Sequence, residues 1–198
     1  HGQPGRLDQP VPVRLMPRLS MVRHGRAAAT FGAAHDKGLD DLGRSQAEEV
    51  AKKLAPLGPL AIVSSPLART RETAAPLARS WNREPLIKEA VAEIPSPGLD
   101  LAERAQWLRK FMAGSWRAAT PPLAQWREDV IAALVELKQD SVIFSHYVAL
   151  NVAMGAATGD DRVTSFSPEN CSVTIFETAG EKLALIEKGR EAPLTKVN

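Results

Sequence analysis

Residues 19–25, Leu19-Ser20-Met21-Val22-Arg23-His24-Gly25, run four mostly apolar positions straight into a cation, an imidazole and a glycine. Such a short apolar run reads as a strand buried on both faces, with the polar residues in a loop at its carboxyl end. The arrangement recurs. Leu60-Ala61-Ile62-Val63 leads into Ser64-Ser65, with Arg69 just beyond, and Ser141-Val142-Ile143-Phe144-Ser145 leads into His146. Leu86-Ile87-Lys88 suggests a third strand between these two.

Helical patterns fill the intervals. Asp41 can cap a helix carrying Ala47, Val50, Ala51 and Leu54, stopped by Gly58-Pro59. Ser65-Pro66 reads as N-cap and first residue of a second helix, which Pro76 kinks or restarts. Asp100 and Glu103 resemble a capping box opening a helix with Leu101, Ala105, Leu108 and Met112 on one face. Thr120-Pro121 starts another, with Trp126, Val130, Leu134 and Leu137 on its apolar side, and a small-residue helix covers Tyr147 to Ala157. Cys171 to Glu177 alternates as a strand, with Leu183 to Ile186 its hairpin partner. Repeated strand–helix alternation predicts an α/β fold, a three-layer α/β/α sandwich with a largely parallel central sheet. A small helical insertion is expected at about 94–122. Residues 17–198 read as a single domain, and residues 1–16 as an N-terminal extension, natural or added for expression.

Composition narrows the function. The 198 residues are 44% hydrophobic and 24% charged, with a net charge of +2. That balance gives no broad basic face for nucleic acid. No apolar run is long enough to span a bilayer, so no membrane is implied. Cys171 is the lone cysteine, which rules out an intramolecular disulfide and a zinc-binding cysteine cluster. It fits a reducing compartment, the cytoplasm.

In an open α/β sheet, ligands gather at the carboxyl ends of the strands. Here those ends carry Arg23, His24, Arg69 and His146. Two guanidiniums and two imidazoles facing one pocket suit a phosphoryl dianion, because Arg forks match its oxygens. A neutral imidazole is a competent nucleophile near pH 7. Glu93, just after the third strand, is placed to protonate a leaving oxygen.

Together these segments resemble the histidine phosphatase superfamily, which includes cofactor-dependent phosphoglycerate mutases and many small phosphatases. Arg23-His24-Gly25 looks like the signature tripeptide, Ser64 to Ala74 like the segment supplying a second phosphate-binding Arg, here Arg69, and Ser145-His146 like the second His motif. Asp41 to Ala47 resembles the start of the first helix. The resemblance implies a metal-independent, histidine acid phosphatase-like phosphomonoester hydrolase that needs no cofactor. His24 would carry the phosphoryl group, Glu93 would be the proton donor, and Arg23, Arg69 and His146 would hold the phosphoryl oxygens. Arg26 and Tyr147 are further candidates for phosphate or substrate contact. The partner would be a small phosphorylated substrate of unknown identity, and the chain a monomer or homodimer. Ala27, Thr30, Arg26 and Tyr147 depart from common residues of the family; Tyr147, where Gly usually stands, narrows the pocket or adds a hydroxyl.

Other readings stay open. One is a phosphoglycerate mutase-type phosphoryl transferase, and another a non-catalytic phosphate-binding regulatory module. A third is a metal phosphohydrolase built on His35-Asp36, and a fourth makes Cys171 a nucleophile beside His146. The insertion, with Trp107, Trp116, Arg104, Arg109 and Arg117, either packs as a cap or overhangs the pocket and selects the substrate.

Overall fold

The computed structural model describes residues 10–28, 36–96 and 98–193, with the side chain of Leu101 excepted. Thr30 and His35 lie outside the described residues.

Six strands form one sheet: β1 (Arg18–Arg23), β2 (Ala61–Ser64), β3 (Leu86–Ile87), β4 (Ser141–Ser145), β5 (Val173–Ala179) and β6 (Lys182–Glu187). Their order is β3-β2-β4-β1-β5-β6. The first four in that order run parallel, and β5 and β6 are antiparallel additions. Five α-helices flank the sheet: α1 (Asp41–Leu54), α2 (Ala68–Trp81), α3 (Leu101–Met112), α4 (Pro121–Val135) and α5 (Tyr147–Thr158).

Strand periodicity divides the core in two. Leu19, Met21, Val63, Ile143 and Phe176 point to one face, where α4 and α5 supply Val130, Leu134, Leu150 and Val152. Val22, Ile62, Val142 and Phe144 point to the other, against Val50, Leu54, Ala74, Leu77 and Trp81 of α1 and α2. Both faces of the central strands are therefore covered, which is why they read as unbroken apolar runs. Each fully buried side chain of this size, such as Phe144 or Leu77, contributes about 1.5–3 kcal/mol.

Several local expectations are corrected. Asp40, not Asp41, caps α1, its carboxylate accepting the Gly43 N–H at 2.7 Å. The helix α2 starts at Ala68 instead of Pro66, and the Ser65 hydroxyl before it is shared between the Leu67 N–H at 3.3 Å and His146 Nε2 at 2.8 Å. Asp36 takes over the capping from a distant segment by accepting the Ala68 N–H at 2.5 Å. Pro76 does not restart α2, which runs through it from Ala68 to Trp81 with Ala74 and Leu77 anchored in the core. Ala105 is exposed; α3 instead turns Trp107, Leu108, Phe111 and Met112 inward. Cys171 is buried in a turn before β5, with a positive φ of 55°. Residues 11–14 also lie against the fold: Val11 is buried, Val13 pairs with Gln139, and Arg14 N–H donates to the Lys138 carbonyl at 2.8 Å.

One contact links this scaffold to the loop after β1. A Cβ on Gly25 would lie 2.7 Å from the Gly43 carbonyl oxygen, and one on Gly43 would collide with the Arg26 carbonyl. Neither obstacle is a flexible side chain. Gly43→Ala is expected to lower stability by about 1–3 kcal/mol in urea denaturation, the usual cost of overpacking. A variant as stable as the parent would mean that loop and helix do not meet this closely.

Candidate active site

The register of three neighbouring strands builds the site. Arg23 on β1 stands beside Ser145 on β4, and Phe144 beside Ser64 on β2. The ladder continues one residue further on each side: His24 N–H donates to the Ser145 carbonyl at 3.0 Å and Ser65 N–H to the Phe144 carbonyl at 3.2 Å. His24, Ser65 and His146 thus emerge side by side at the carboxyl edge.

The ring centroids of His24 and His146 lie 5.3 Å apart, edge to face at 60°. His24 Nδ1–H donates to the Gly25 carbonyl at 2.7 Å, which leaves Nε2 as the unprotonated nitrogen. Arg69 Nε–H donates to that Nε2 at 3.2 Å. One turn along α2, the Thr73 hydroxyl accepts the Gly25 N–H at 3.0 Å and donates to the Arg69 carbonyl at 2.6 Å. From the opposite side, Asn170 donates to the His24 carbonyl at 2.9 Å. The imidazole of residue 24 is fixed in position, rotation and tautomer.

His146 is fully buried and caps nothing with its side chain. Its Nε2 shares a 2.8 Å hydrogen bond with the Ser65 hydroxyl, which in turn lies 2.7 Å from that of Thr70. Its Nδ1 is buried without a partner among the described residues, as is the Nε of Arg23. Arg23 donates to the Pro168 carbonyl at 2.8 Å and lies over the Tyr147 ring, 5.1 Å from its centroid. Buried polar atoms without partners are uncommon, and two in one site leave bonding capacity there for a ligand or water.

Glu93 sits at the amino end of α5. Its carboxyl accepts the Val148 N–H at 3.2 Å and the Ile94 N–H at 3.0 Å. The Ser145 hydroxyl donates to the Val91 carbonyl at 2.7 Å, tying the end of β4 to the segment that carries Glu93.

Electrostatics follow from burial beside fixed cations. Burial first, then Arg69 and Arg23, hold the His24 imidazole down to about 3 against an ordinary 6.5. Burial, then Arg69, His24 and Arg23, hold His146 down to about 2. Burial raises the Glu93 carboxyl, and the Ile94 and Val148 amides with the two arginines oppose the rise. Burial also lowers both Arg23 and Arg69. The Cys171 thiol is pushed up to about 12 by burial, which keeps it protonated near neutrality.

Five of the expected residues therefore meet: Arg23, His24, Arg69, Glu93 and His146, with Tyr147 behind Arg23. Arg26 is not among them. Its side chain is exposed and its Nε is given to Asp40, at 2.5 Å. Ser65, Thr73 and Asn170 support the imidazoles without having been singled out for it. Thr73 had a legible signal, four residues from Arg69 on one helix face, whereas Asn170 had none. Among the described residues, no group of three or more His, Cys, Asp or Glu could hold a metal ion. No described helix is long and apolar enough to cross a membrane.

Residues 19–189 match the family model of the histidine phosphatase superfamily, branch 1. The chain belongs to the histidine phosphatase superfamily. It is 26% identical over 163 residues to a probable phosphoglycerate mutase of Erwinia tasmaniensis, covering 73% of this chain and 76% of that protein. Among solved structures, mycobacterial glucosyl-3-phosphoglycerate phosphatase superposes with a TM-score of 0.70 at 21% identity, covering 90% of this chain and 100% of that one. Phosphoserine phosphatase from Entamoeba histolytica, in complex with 3-phosphoglyceric acid, gives 0.69 at 22% identity over 89% and 98%. At these identities the structural likeness is one of fold, and the family assignment rests on the sequence match. Membership makes this chain a phosphatase or phosphoryl-transfer enzyme.

The depressed imidazoles have a consequence for stability. Unfolded, both rings titrate near 6.5, so between that value and their folded values the unfolded chain binds more protons. Their contribution is fully present above pH 6.5 and is lost as pH falls toward about 3. NMR of the imidazole nitrogens should find both rings neutral at pH 5, and inorganic phosphate should raise their pKa values. Rings that titrate near 6.5 with or without phosphate would contradict the burial described.

Proposed function

We propose that this chain hydrolyses small phosphomonoesters through a phosphohistidine on His24. The observation that carries the reading is the fixed tautomer of residue 24. With Nδ1–H held by the Gly25 carbonyl, the lone pair of Nε2 is directed at the space shared with Arg69 and His146.

In the first step His24 Nε2 attacks phosphorus in line, and the bond from phosphorus to the ester oxygen breaks. Glu93, its carboxyl raised by burial, gives its proton to that oxygen, so an alcohol departs. Arg23, Arg69 and the unpartnered Nδ1 of His146 bind the phosphoryl oxygens. Arg69 exchanges its bond to Nε2 for one to the phosphoryl group. In the second step water attacks phosphorus, its proton passes to the Glu93 carboxylate, and the phosphorus–nitrogen bond breaks. The Gly25 carbonyl stabilises the imidazolium character of the intermediate throughout. Fixed cations do the charge neutralisation, so the chemistry runs without a metal. The high thiol pKa weighs against a role for Cys171. A cytoplasmic setting agrees with its lone free thiol.

A second reading keeps the same first step and passes the phosphoryl group to another hydroxyl, as a mutase does. The curated relatives named as probable phosphoglycerate mutases favour it. Free phosphate release measured against isomerisation of phosphoglycerate separates the two.

With p-nitrophenyl phosphate, His24→Ala is expected to lose activity by about 10³-fold or more, and Glu93→Gln by about 10²–10⁴-fold, with the larger effect on kcat. Chelators should leave the wild-type rate unchanged. A His24→Ala variant as fast as the wild type would discard the reading.

A further inference from the structure

Arg23 ends β1, and among the described residues no carboxylate forms an ion pair with its guanidinium. An arginine left loose at this edge would lose rotamer freedom each time it bound an oxyanion. Two neighbours restrain it instead. Its Nη1–H donates to the Pro168 carbonyl at 2.8 Å, and its guanidinium carbon lies over the Tyr147 ring, 5.1 Å from the centroid. A cation within about 6 Å of an aromatic centroid is attracted by the negative face of the ring, the more so where water is excluded.

Both restraints belong to one frame. Tyr147 opens α5, next to His146 on one side and to the Val148 N–H that Glu93 accepts on the other. Its half-buried ring packs against the core. One turn along the helix, the fully buried Asn151 donates to the Tyr147 carbonyl at 3.0 Å. The Asn151 Oδ1 accepts the Ser165 and Phe166 N–H groups at 2.8 and 3.1 Å, in the segment leading to Pro168. Asn151 thus ties the helix that carries the ring to the segment that carries the carbonyl, and Arg23 is held by both. The buried Nε of Arg23 keeps its N–H without a partner among the described residues. Glycine, usual in the family at position 147, would remove the aromatic restraint.

We infer that Tyr147 is a positioning residue: the face of its ring, together with the Pro168 carbonyl, holds the Arg23 guanidinium in one orientation and leaves its Nε–H for a phosphoryl oxygen. Tyr147 acts through Arg23 and not by touching the substrate. A cation is drawn to the ring face, so the hydroxyl is not needed for the hold. An aliphatic side chain would fill the space without the ring's charge distribution. This role deepens the hydrolase reading and rests on it for taking Arg23 as a phosphoryl ligand, but it can be measured as anion binding without turnover.

Calorimetric titration of the full chain with tungstate, a tetrahedral oxyanion that is not a substrate, makes that measurement. Tyr147→Phe is expected to bind within threefold of the wild type, and Tyr147→Leu at least fivefold more weakly. Fluorinated phenylalanines in place of Tyr147 keep the ring's shape while drawing charge from its face. Affinity should fall with each added fluorine, reaching at least a fivefold loss with three. Merely structural packing would not follow the fluorine count, and this series decides the matter even if Tyr147→Leu fails to fold. A folded Tyr147→Leu variant that loses less than fivefold overturns the role, as does an affinity independent of fluorination. A loss of more than threefold in Tyr147→Phe overturns it too, by making the hydroxyl the contact. A wild type that does not bind tungstate leaves Arg23 no oxyanion to serve and overturns both this role and the hydrolase reading. Tungstate binding without p-nitrophenyl phosphate hydrolysis removes the hydrolase reading alone, and the affinity ratios still judge Tyr147.

Discussion

Two imidazoles and two guanidiniums share a largely buried space at the edge of the sheet, and among the described residues no carboxylate forms an ion pair with either guanidinium. Everything else at this end of the molecule follows from that constraint. Desolvation keeps both histidines neutral, the form that the proposed mechanism requires of its nucleophile. The same desolvation raises the Glu93 carboxyl, although two backbone amides and two arginines oppose the rise. A buried cation or unpaired polar atom is costly, and among the described residues Arg23 Nε and the Nδ1 of the neutral His146 have no partner to offset the cost. In the proposed function a tetrahedral oxyanion is what satisfies all four groups at once.

The scaffold bears this cost through rigid, local devices. Parallel pairing of β1, β4 and β2 sets His24, His146 and Ser65 in neighbouring register. Helix α2 then grips the His24 loop twice from one face, with Arg69 on the ring and Thr73 on the Gly25 backbone. Ser65 holds the second imidazole from behind. The two halves of the core press these elements together from both faces of the sheet. Preorganisation of this kind leaves little reorientation to be done when charge develops on a phosphoryl group.

The central strands were legible because both of their faces are buried, so an apolar run followed by a polar residue marks a strand end without ambiguity. That alone brought Arg23, His24 and His146 into one neighbourhood. Glu93 was harder to read, since a carboxylate after a two-residue strand looks the same exposed or buried; its burial depends on α5 and on the Ser145–Val91 bond. The capping errors have a common origin. Ser65 and Asp41 are good local caps, but the Ser65 hydroxyl is shared between the Leu67 N–H and His146, and Asp40 and Asp36 accept the N–H groups at the starts of α1 and α2. Arg26 looked like a phosphate ligand by proximity to His24, yet the Asp40 carboxylate draws it outward. In each case a partner distant in sequence, or one residue out of register, outweighed a local preference.

In the proposed mechanism phosphate passes through the imidazole of residue 24. Rapid quenching during turnover, followed by mass spectrometry of peptides kept at alkaline pH, traps that intermediate. One phosphoryl group is expected on the peptide bearing His24, stable to alkali, lost in acid, and absent once substrate is consumed. A phosphoryl group on Cys171 or His146 instead, or burst kinetics with an unmodified His24 peptide, would contradict it.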